Sequence, residues 1–312
     1  MSGKFHLIIP AKDEGMRLDR FLRALKSDLT QGQIQKLLRQ GDIRINGKKV
    51  EANARLEAGQ ELKLPPFLRG ENKEKPTVKM PDNLVKKIRS WVIYQDQDMI
   101  ALNKPPGLAV QGGSKTGQHL DAWLDALADG KERPRLVHRL DKDTSGVLLL
   151  ARNRKSAAYL TSAFRGREVE KIYWAVVVGV PAPLQGEINA PLAKRRDREG
   201  EKMAVAKDGD QALTLYRVLD QAGQKLALLE LSPHTGRTHQ LRAHCQYIGH
   251  PILGDPKYGG EDRFLKPAGL SDSLHLHARQ IRLRGLNGKI LTIKAELPEE
   301  MAKTLAYFNF TA

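Results

Sequence analysis

The chain has 312 residues, 40% of them apolar and 5% aromatic, and its 52 Lys and Arg outnumber 36 Asp and Glu for a formal net charge of +16. That length admits one large domain or two unequal ones, and the charge favours nucleic acid or an anionic surface as partner. No apolar run can span a bilayer, no apolar leader opens the chain, and a lone cysteine, Cys245, permits no internal disulfide, which fits a reducing cytoplasm.

In chain order, His6-Leu7-Ile8-Ile9 reads as a short strand. Leu18, Phe21, Leu22 and Leu25 recur on one helix face. Thr30 and Gln33 have the spacing of a capping box. They open a second helix with the apolar face Ile34, Leu37 and Leu38, which Gly41 stops. Ile43-Arg44-Ile45 alternates, Asn46-Gly47 signals a type I′ turn, and Lys48-Lys49-Val50 returns as the second strand of a hairpin. Arg17, Arg20, Lys36, Arg39, Arg44, Lys48 and Lys49 decorate these elements. Any one is an ordinary solvated charge; together they read as an RNA-binding face. Residues 66–90 carry Pro66, Pro76 and Pro81 among many charges and read as a linker without a core of its own. The expected domains are residues 1–65, the linker 66–90, and residues 91–312.

Beyond Trp91, residues 92–94 and 99–102 look like paired strands about a polar turn. Asn103-Lys104-Pro105-Pro106-Gly107 forms a rigid turn in which Lys104 reads as structural. Gln111-Gly112-Gly113-Ser114 is a glycine loop without the Lys-Ser/Thr of a phosphate-binding P-loop. Leu120, Trp123, Leu124 and Leu127 make a helix face. The compact polar stretch from His138 to Gly146 leads directly into Val147-Leu148-Leu149-Leu150-Ala151, a run that reads as a strand buried on both faces. Asp141 should therefore sit on a loop at the lip of a sheet, between Arg139 and Lys142, cationic company suited to a working carboxylate.

Ala157, Leu160 and Phe164 give a helix ending near Gly166. Lys171 to Gly179 reads as a strand with Ile172, Trp174 and Val176 on one face and Tyr173 on the other. Lys194 to Lys202 reads as a charged loop, as ready to touch phosphate as to be merely solvated. Strands are expected near 212–219, 226–231 and at His275-Leu276-His277-Ala278. Between the last two lies Gly236-Arg237-Thr238-His239-Gln240-Leu241-Arg242-Ala243-His244. No Cys, His or carboxylate set has a recognised ligand spacing, so no metal site is expected.

HRLD-x-x-TSG at 138–146 resembles the signature of the RluA-type pseudouridine synthases. NKP-x-G at 103–107, K-x-Y-x-A-x-V-x-G at 171–179 and G-R-T-H-Q-L-R-x-H at 236–244 resemble further blocks of that family, in the right order. Residues 15–50 resemble a small RNA-binding module shared with a small-subunit ribosomal protein. The resemblance implies an α+β fold: a mixed, largely antiparallel sheet with flanking helices, preceded by the small α/β-hairpin module. It implies isomerisation of uridine to pseudouridine without a cofactor. The Gly113 loop is similar to that of the C-type branch of the family, whose members act on 23S ribosomal RNA, with a D-type enzyme as the alternative. By the motif matches, Asp141 is the essential carboxylate, Arg242 its ion-pair partner, and Tyr173 a contact to uracil with a part in final proton removal. Arg139 is expected to fill the stack that a flipped uridine vacates, with Arg237, His239 and Leu241 binding substrate. A cytoplasmic monomer with 23S ribosomal RNA as partner and no membrane is the expected state. Two other classes stay open: a non-catalytic RNA-binding assembly factor, and a hydrolytic glycosidase using Asp141 and Asp143.

Overall fold

A computed structural model describes residues 5–26, 29–69, 80–112, 118–130, 132–197, 200–260 and 270–311. The chain divides into two compact units, Met1–Lys79 and Met80–Ala312. The first contains β1 (Phe5–Ile8), α1 (Leu18–Leu25), α2 (Gln31–Gln40), β2 (Arg44–Ile45) and β3 (Glu61–Leu64), with the sheet order β1-β3-β2. Leu18, Phe21 and Leu22 of α1 meet Ile34 and Leu38 of α2 and Leu62 and Leu64 of β3 in one core. The capping box forms as its spacing predicts: Gln33 N donates to Thr30 Oγ1 at 3.3 Å, and Thr30 N donates to Gln33 Oε1 at 2.8 Å. Gly41 closes α2 at φ +71°, which glycine adopts without a Cβ clash.

Asn46 and Gly47 both have positive φ, as a type I′ turn requires. The returning segment pairs only at the Ile45–Lys48 bridge, however, and the longer partner of β2 is β3. Burial decides this: Leu62 and Leu64 enter the core, whereas Lys48 and Lys49 are exposed. The expected linker is also corrected. Leu68 is buried in the first core, and α3 (Asp82–Arg89) packs Ile88, Leu84 and Val85 into a second. Pro66 and Pro81 stand where short helices begin, positions that proline tolerates, and so do not mark loops here. The rest of the expected linker, 70–79, lies outside the described residues.

The second unit is built on a ten-stranded mixed sheet. Its strands are β4 (Val92–Gln95), β5 (Met99–Lys104), β6 (Arg135–Leu136), β7 (Ser145–Ala151), β8 (Glu170–Val178) and β9 (Gln185–Asn189), followed, after a separate hairpin β10 (Leu192–Asp197) and β11 (Gly200–Val205), by β12 (Leu213–Ala222), β13 (Leu226–Pro233), β14 (Leu276–Arg284) and β15 (Ile290–Lys294). The order is β4-β5-β7-β14-β8-β13-β12-β9, with β15 on β14 and β6 on β7. Among the described strands, only β7 and β14 pair in parallel. Every residue of β7 is buried, as its unbroken apolar run predicts.

α4 (Leu120–Trp123) continues as a 3-10 turn through Leu127. Among the described residues, the remaining α-helices are α5 (Arg154–Gly166), α6 (Gln240–Tyr247) and α7 (Glu299–Tyr307). Strand alternation on β8 divides the packing: Tyr173, Ala175 and Val177 meet Leu241 and Cys245 of α6, and Trp174, Val176 and Val178 meet Met301 and Leu305 of α7.

Within the stretch Lys194–Lys202, expected as a loop, the described residues on either side of 198–199 belong to the paired strands β10 and β11, with Lys194 opposite Met203 and Arg196 opposite Glu201. Leu192, Met203 and Val205 pack against Ala243 and Tyr258, so apolar feet carry the charged strands. In the glycine loop, Gly113 and Ser114 lie outside the described residues. Among the described residues, no helix is long and apolar enough to cross a membrane.

Candidate active site

A cleft of about 590 Å³ opens between the loop 137–144, the end of α5, β8 and the start of α6. Asp141 is the single carboxylate among its described lining residues, facing a wall that includes Arg139, Arg165, Arg167, Lys171, Arg237 and Arg242.

Three buried groups fix the loop that carries Asp141. Lys104, wholly buried at the end of β5, donates from Nζ to the carbonyls of Pro105 (2.8 Å), Leu108 (2.9 Å) and Lys142 (2.9 Å). The last of these tethers the residue next to Asp141. Burial pushes the Lys104 ammonium down to about 7, while Asp143 and Asp141 pull the other way. His138 accepts a hydrogen bond at Nε2 from Leu149 N (2.8 Å) and stacks on Phe164 at 4.3 Å between ring centroids. Burial, aided by Lys171, pushes His138 down to about 3, so it stays a neutral acceptor. Gly146, at φ +109°, lets β7 approach β14: a Cβ there would run into the backbone of Ala278. Beside it, Ser145 Oγ and His277 Nδ1 are 2.8 Å apart, and His277 Nε2 donates to Ala295 O at 3.2 Å.

Tyr173 lies on β8 between Leu231 of β13 and Ala278 of β14 and lines the cleft. Burial first, and then the Asp141 carboxylate, raise its phenol well above the ordinary tyrosine range. In this setting it packs at the cleft wall as a neutral phenol. Arg242 is buried in the first turn of α6, and the expected fork onto Asp141 is corrected. Nε and Nη2 donate at 2.7 and 2.6 Å to Asp255, which is itself fully buried and also accepts from Lys257 N and Tyr258 N. Burial opposes the charge on Arg242, but Asp255 and, more weakly, Asp141 outweigh it and raise its pKa. Asp141 is thus an electrostatic neighbour of Arg242, with Asp255 as its anchor.

The model of the family described as RNA pseudouridylate synthase matches residues 98–247, and the S4 domain model matches residues 16–62. The ribosomal large subunit pseudouridine synthase C of Rickettsia bellii is 40% identical over 305 residues, covering 94% of this chain and 96% of that protein. Its counterpart from Escherichia coli O6:H1 is 35% identical over 302 residues, covering 95% and 94%. The chain belongs to the RNA pseudouridylate synthase family. Among solved structures, Human RNA Pseudouridylate Synthase Domain Containing 4 matches with a TM-score of 0.62 at 33% identity, covering 73% of this chain and 96% of that one.

The other expected site residues of this pseudouridine synthase fall into three groups. Arg139 is exposed at the cleft, Leu241 is buried against it, and His239 stands at the N-cap position of α6 and lines the cleft. Arg237 also lines the cleft, and it ion-pairs with Asp210 at 3.3 Å and donates to Gln211 O at 3.2 Å. In the S4 domain, Arg17, Arg39 and Lys49 surround a depression of about 860 Å³ with Gln31, Gln35 and Asn53. Arg20, Lys36 and Lys48 are exposed but do not line it. Arg44 donates to the carbonyls of Gly41 and Gly47, so its guanidinium holds the end of α2 to the turn.

Sequence reasoning missed Arg165, Arg167 and Lys171 in the cleft wall; the basic run around the α5 terminus was the available signal. Among the described residues, no three His, Cys, Asp or Glu side chains gather as a metal site would require.

Proposed function

We propose that this synthase isomerises specific uridines of 23S ribosomal RNA in the manner of the C-type enzymes of the large ribosomal subunit, acting as a cytoplasmic monomer. The single observation that carries the chemistry is the arrangement of one carboxylate, Asp141, in a cleft whose other charged lining residues are all basic. A hydrolytic glycosidase needs two carboxyl groups flanking its bond, and Asp143 is not among the lining residues. The target base leaves its stack and enters the cleft, at a cost of roughly a few kcal/mol. Arg139, two residues before Asp141 and exposed, fills the vacated stack; Arg165, Arg167 and Arg237 meet the phosphates.

Asp141 acts on the sugar, either by attack at the anomeric carbon or by removal of the neighbouring proton; both use the same carboxylate. The bond from the anomeric carbon to N1 breaks, the uracil turns, and a bond to C5 forms. The C5 proton leaves and N1 gains one, so the atoms balance without a cosubstrate. Tyr173 packs on the base, and Arg242 sets the cationic field beside Asp141 through its anchor on Asp255. The S4 depression with Arg17, Arg39 and Lys49 adds affinity for ribosomal RNA. The test is pseudouridine mapping on 23S ribosomal RNA from a strain lacking the gene. Loss of discrete sites, restored by the wild-type gene and not by Asp141→Asn, is expected; an unchanged map overturns the proposal.

A further inference from the structure

His239 is the least conventional residue of the cleft wall. It is a non-glycine residue at φ +51°, immediately before α6, in a region of backbone space that few side chains occupy and that functional sites often exploit. Its Nδ1 lies 3.0 Å from the Tyr258 hydroxyl, with the two rings edge to face at 5.6 Å. That hydroxyl also receives the backbone N–H of Met203 in β11 at 3.0 Å. An amide can only donate, so one lone pair of the phenol oxygen is occupied, and its own proton is free to point at Nδ1. With the phenol proton directed at Nδ1, the imidazole carries its own proton on Nε2. Burial is the largest influence on His239 and lowers its pKa, which keeps the ring uncharged; Asp141 and Asp255 oppose this, and Arg242 and Lys257 reinforce it.

The support beneath Tyr258 is rigid. Its amide donates to Asp255 at 3.0 Å, and the Arg242 guanidinium lies over its ring at 5.1 Å. Nδ1 makes the one hydrogen bond of the His239 ring among the described residues.

We propose that His239 is a substrate-contacting residue of the isomerisation, its Nε2–H gripping a carbonyl of the flipped uracil, and that Tyr258 is the positioning residue that aims it. This rests on the uridine isomerisation proposed above. The chemistry of the base explains why one fixed donor suits this reaction. Exchanging N1 for C5 at the sugar requires the ring to turn about the line through N3 and C6. That turn also exchanges the two carbonyls. A donor that holds one carbonyl before the turn therefore finds the other in the same place after it, so one N–H serves both orientations. The β10–β11 hairpin enters through Met203, because its backbone supplies the hydrogen bond that fixes the direction of the phenol proton.

The experiment uses the full chain on 23S ribosomal RNA. It measures single-turnover isomerisation, RNA affinity, and the nitrogen-15 shifts of His239, which report its tautomer. Substitutions at position 239 must tolerate positive φ, so His239→Gly removes the ring without backbone strain and His239→Asn keeps a donor. His239→Gly should slow the reaction by about tenfold or more, the loss of one buried hydrogen bond, with RNA affinity within about twofold of wild type. His239→Asn should recover part of that loss. Tyr258→Phe should also slow the reaction and populate the other tautomer, which a purely structural hydroxyl would not do. The double variant Tyr258→Phe/His239→Gly should be no slower than His239→Gly alone, since Tyr258 acts through His239. A wild-type rate in His239→Gly, an Nδ1–H tautomer in the parent, or multiplied losses in the double variant overturn the inference. If the parent chain makes no pseudouridine at all, it is the isomerase reading that fails.

Discussion

The loop from His138 to Gly146 and the stretch from Lys194 to Lys202 are both short and dense in charge, yet they fold in different ways. The first is held from beneath: Lys104 on a carbonyl beside Asp141, His138 on the amide of Leu149, and Gly146 pressed against Ala278. The second is a hairpin whose charges point outward over apolar feet; Lys194, Arg195 and Arg196 are exposed, and its ion pairs, such as Lys194 with Glu201, are solvated. Charge density does not separate a reactive loop from a surface hairpin. Buried polar anchors do, because an unsatisfied polar group in the interior is costly and so holds its partners in one geometry.

The sharpest break in that comparison is Asp141→Asn. It should reduce pseudouridine formation by on the order of 10³-fold, about 4 kcal/mol of barrier, while melting temperature and RNA affinity stay near wild type. Near-normal product from the purified variant would refute the assignment.

Next in size is Arg242→Ala. It leaves the fully buried Asp255 without its fork, and urea unfolding should record a loss of about 3–5 kcal/mol. Arg242→Lys should be intermediate, since a point charge cannot reproduce two parallel bonds. A loss under roughly 1 kcal/mol in Arg242→Ala would remove Asp255 as the anchor.

Lys104 gives a smaller effect with a defined sign. The folded ammonium releases its proton near pH 7, and the unfolded one near 10.5. Between those values the unfolded chain binds the extra proton, so this group makes stability rise with pH, by up to about 1.4 kcal/mol per unit. Lys104→Met should flatten that slope in unfolding curves collected from pH 7 to 10. A slope identical to wild type would show that another group produces it.

The smallest effects belong to the solvated charges. Arg196→Ala in the hairpin and Arg39→Ala in the S4 domain should each change stability by no more than about 0.5 kcal/mol. If each side chain meets a phosphate, the salt dependence of RNA binding should lose about 0.7–0.9 per substitution. A slope that moves for Arg39→Ala and not for Arg196→Ala would assign phosphate contact to the S4 domain and leave the hairpin to its tie through Met203.

Much of the fold is local and so was legible. The capping box at Thr30, the αL stop at Gly41, the turn at Asn46-Gly47 and the doubly buried strand β7 each follow from a few neighbouring residues. The misreadings share one cause: the deciding contact came from far along the chain. β2 pairs with β3 because Leu62 and Leu64 need the core, and Leu68 and Ile88 leave the expected linker because separate cores receive them.

The site divides in the same way. The sequence by itself determined that Asp141 stands on a polar turn before a buried strand, that a basic module precedes it, and that both belong to an RNA-directed family, because motif spacing and hydrophobic period are properties of neighbouring residues. Only the tertiary structure decided which carboxylate holds Arg242, that Lys104 and His138 pin the loop, and that Tyr258 joins His239 to Met203. Those bonds span gaps such as Lys104 to Lys142 and Met203 to Tyr258, and hydrogen-bond partners at such separations are set by where the sheet and α6 bring the backbone together, which no local pattern encodes.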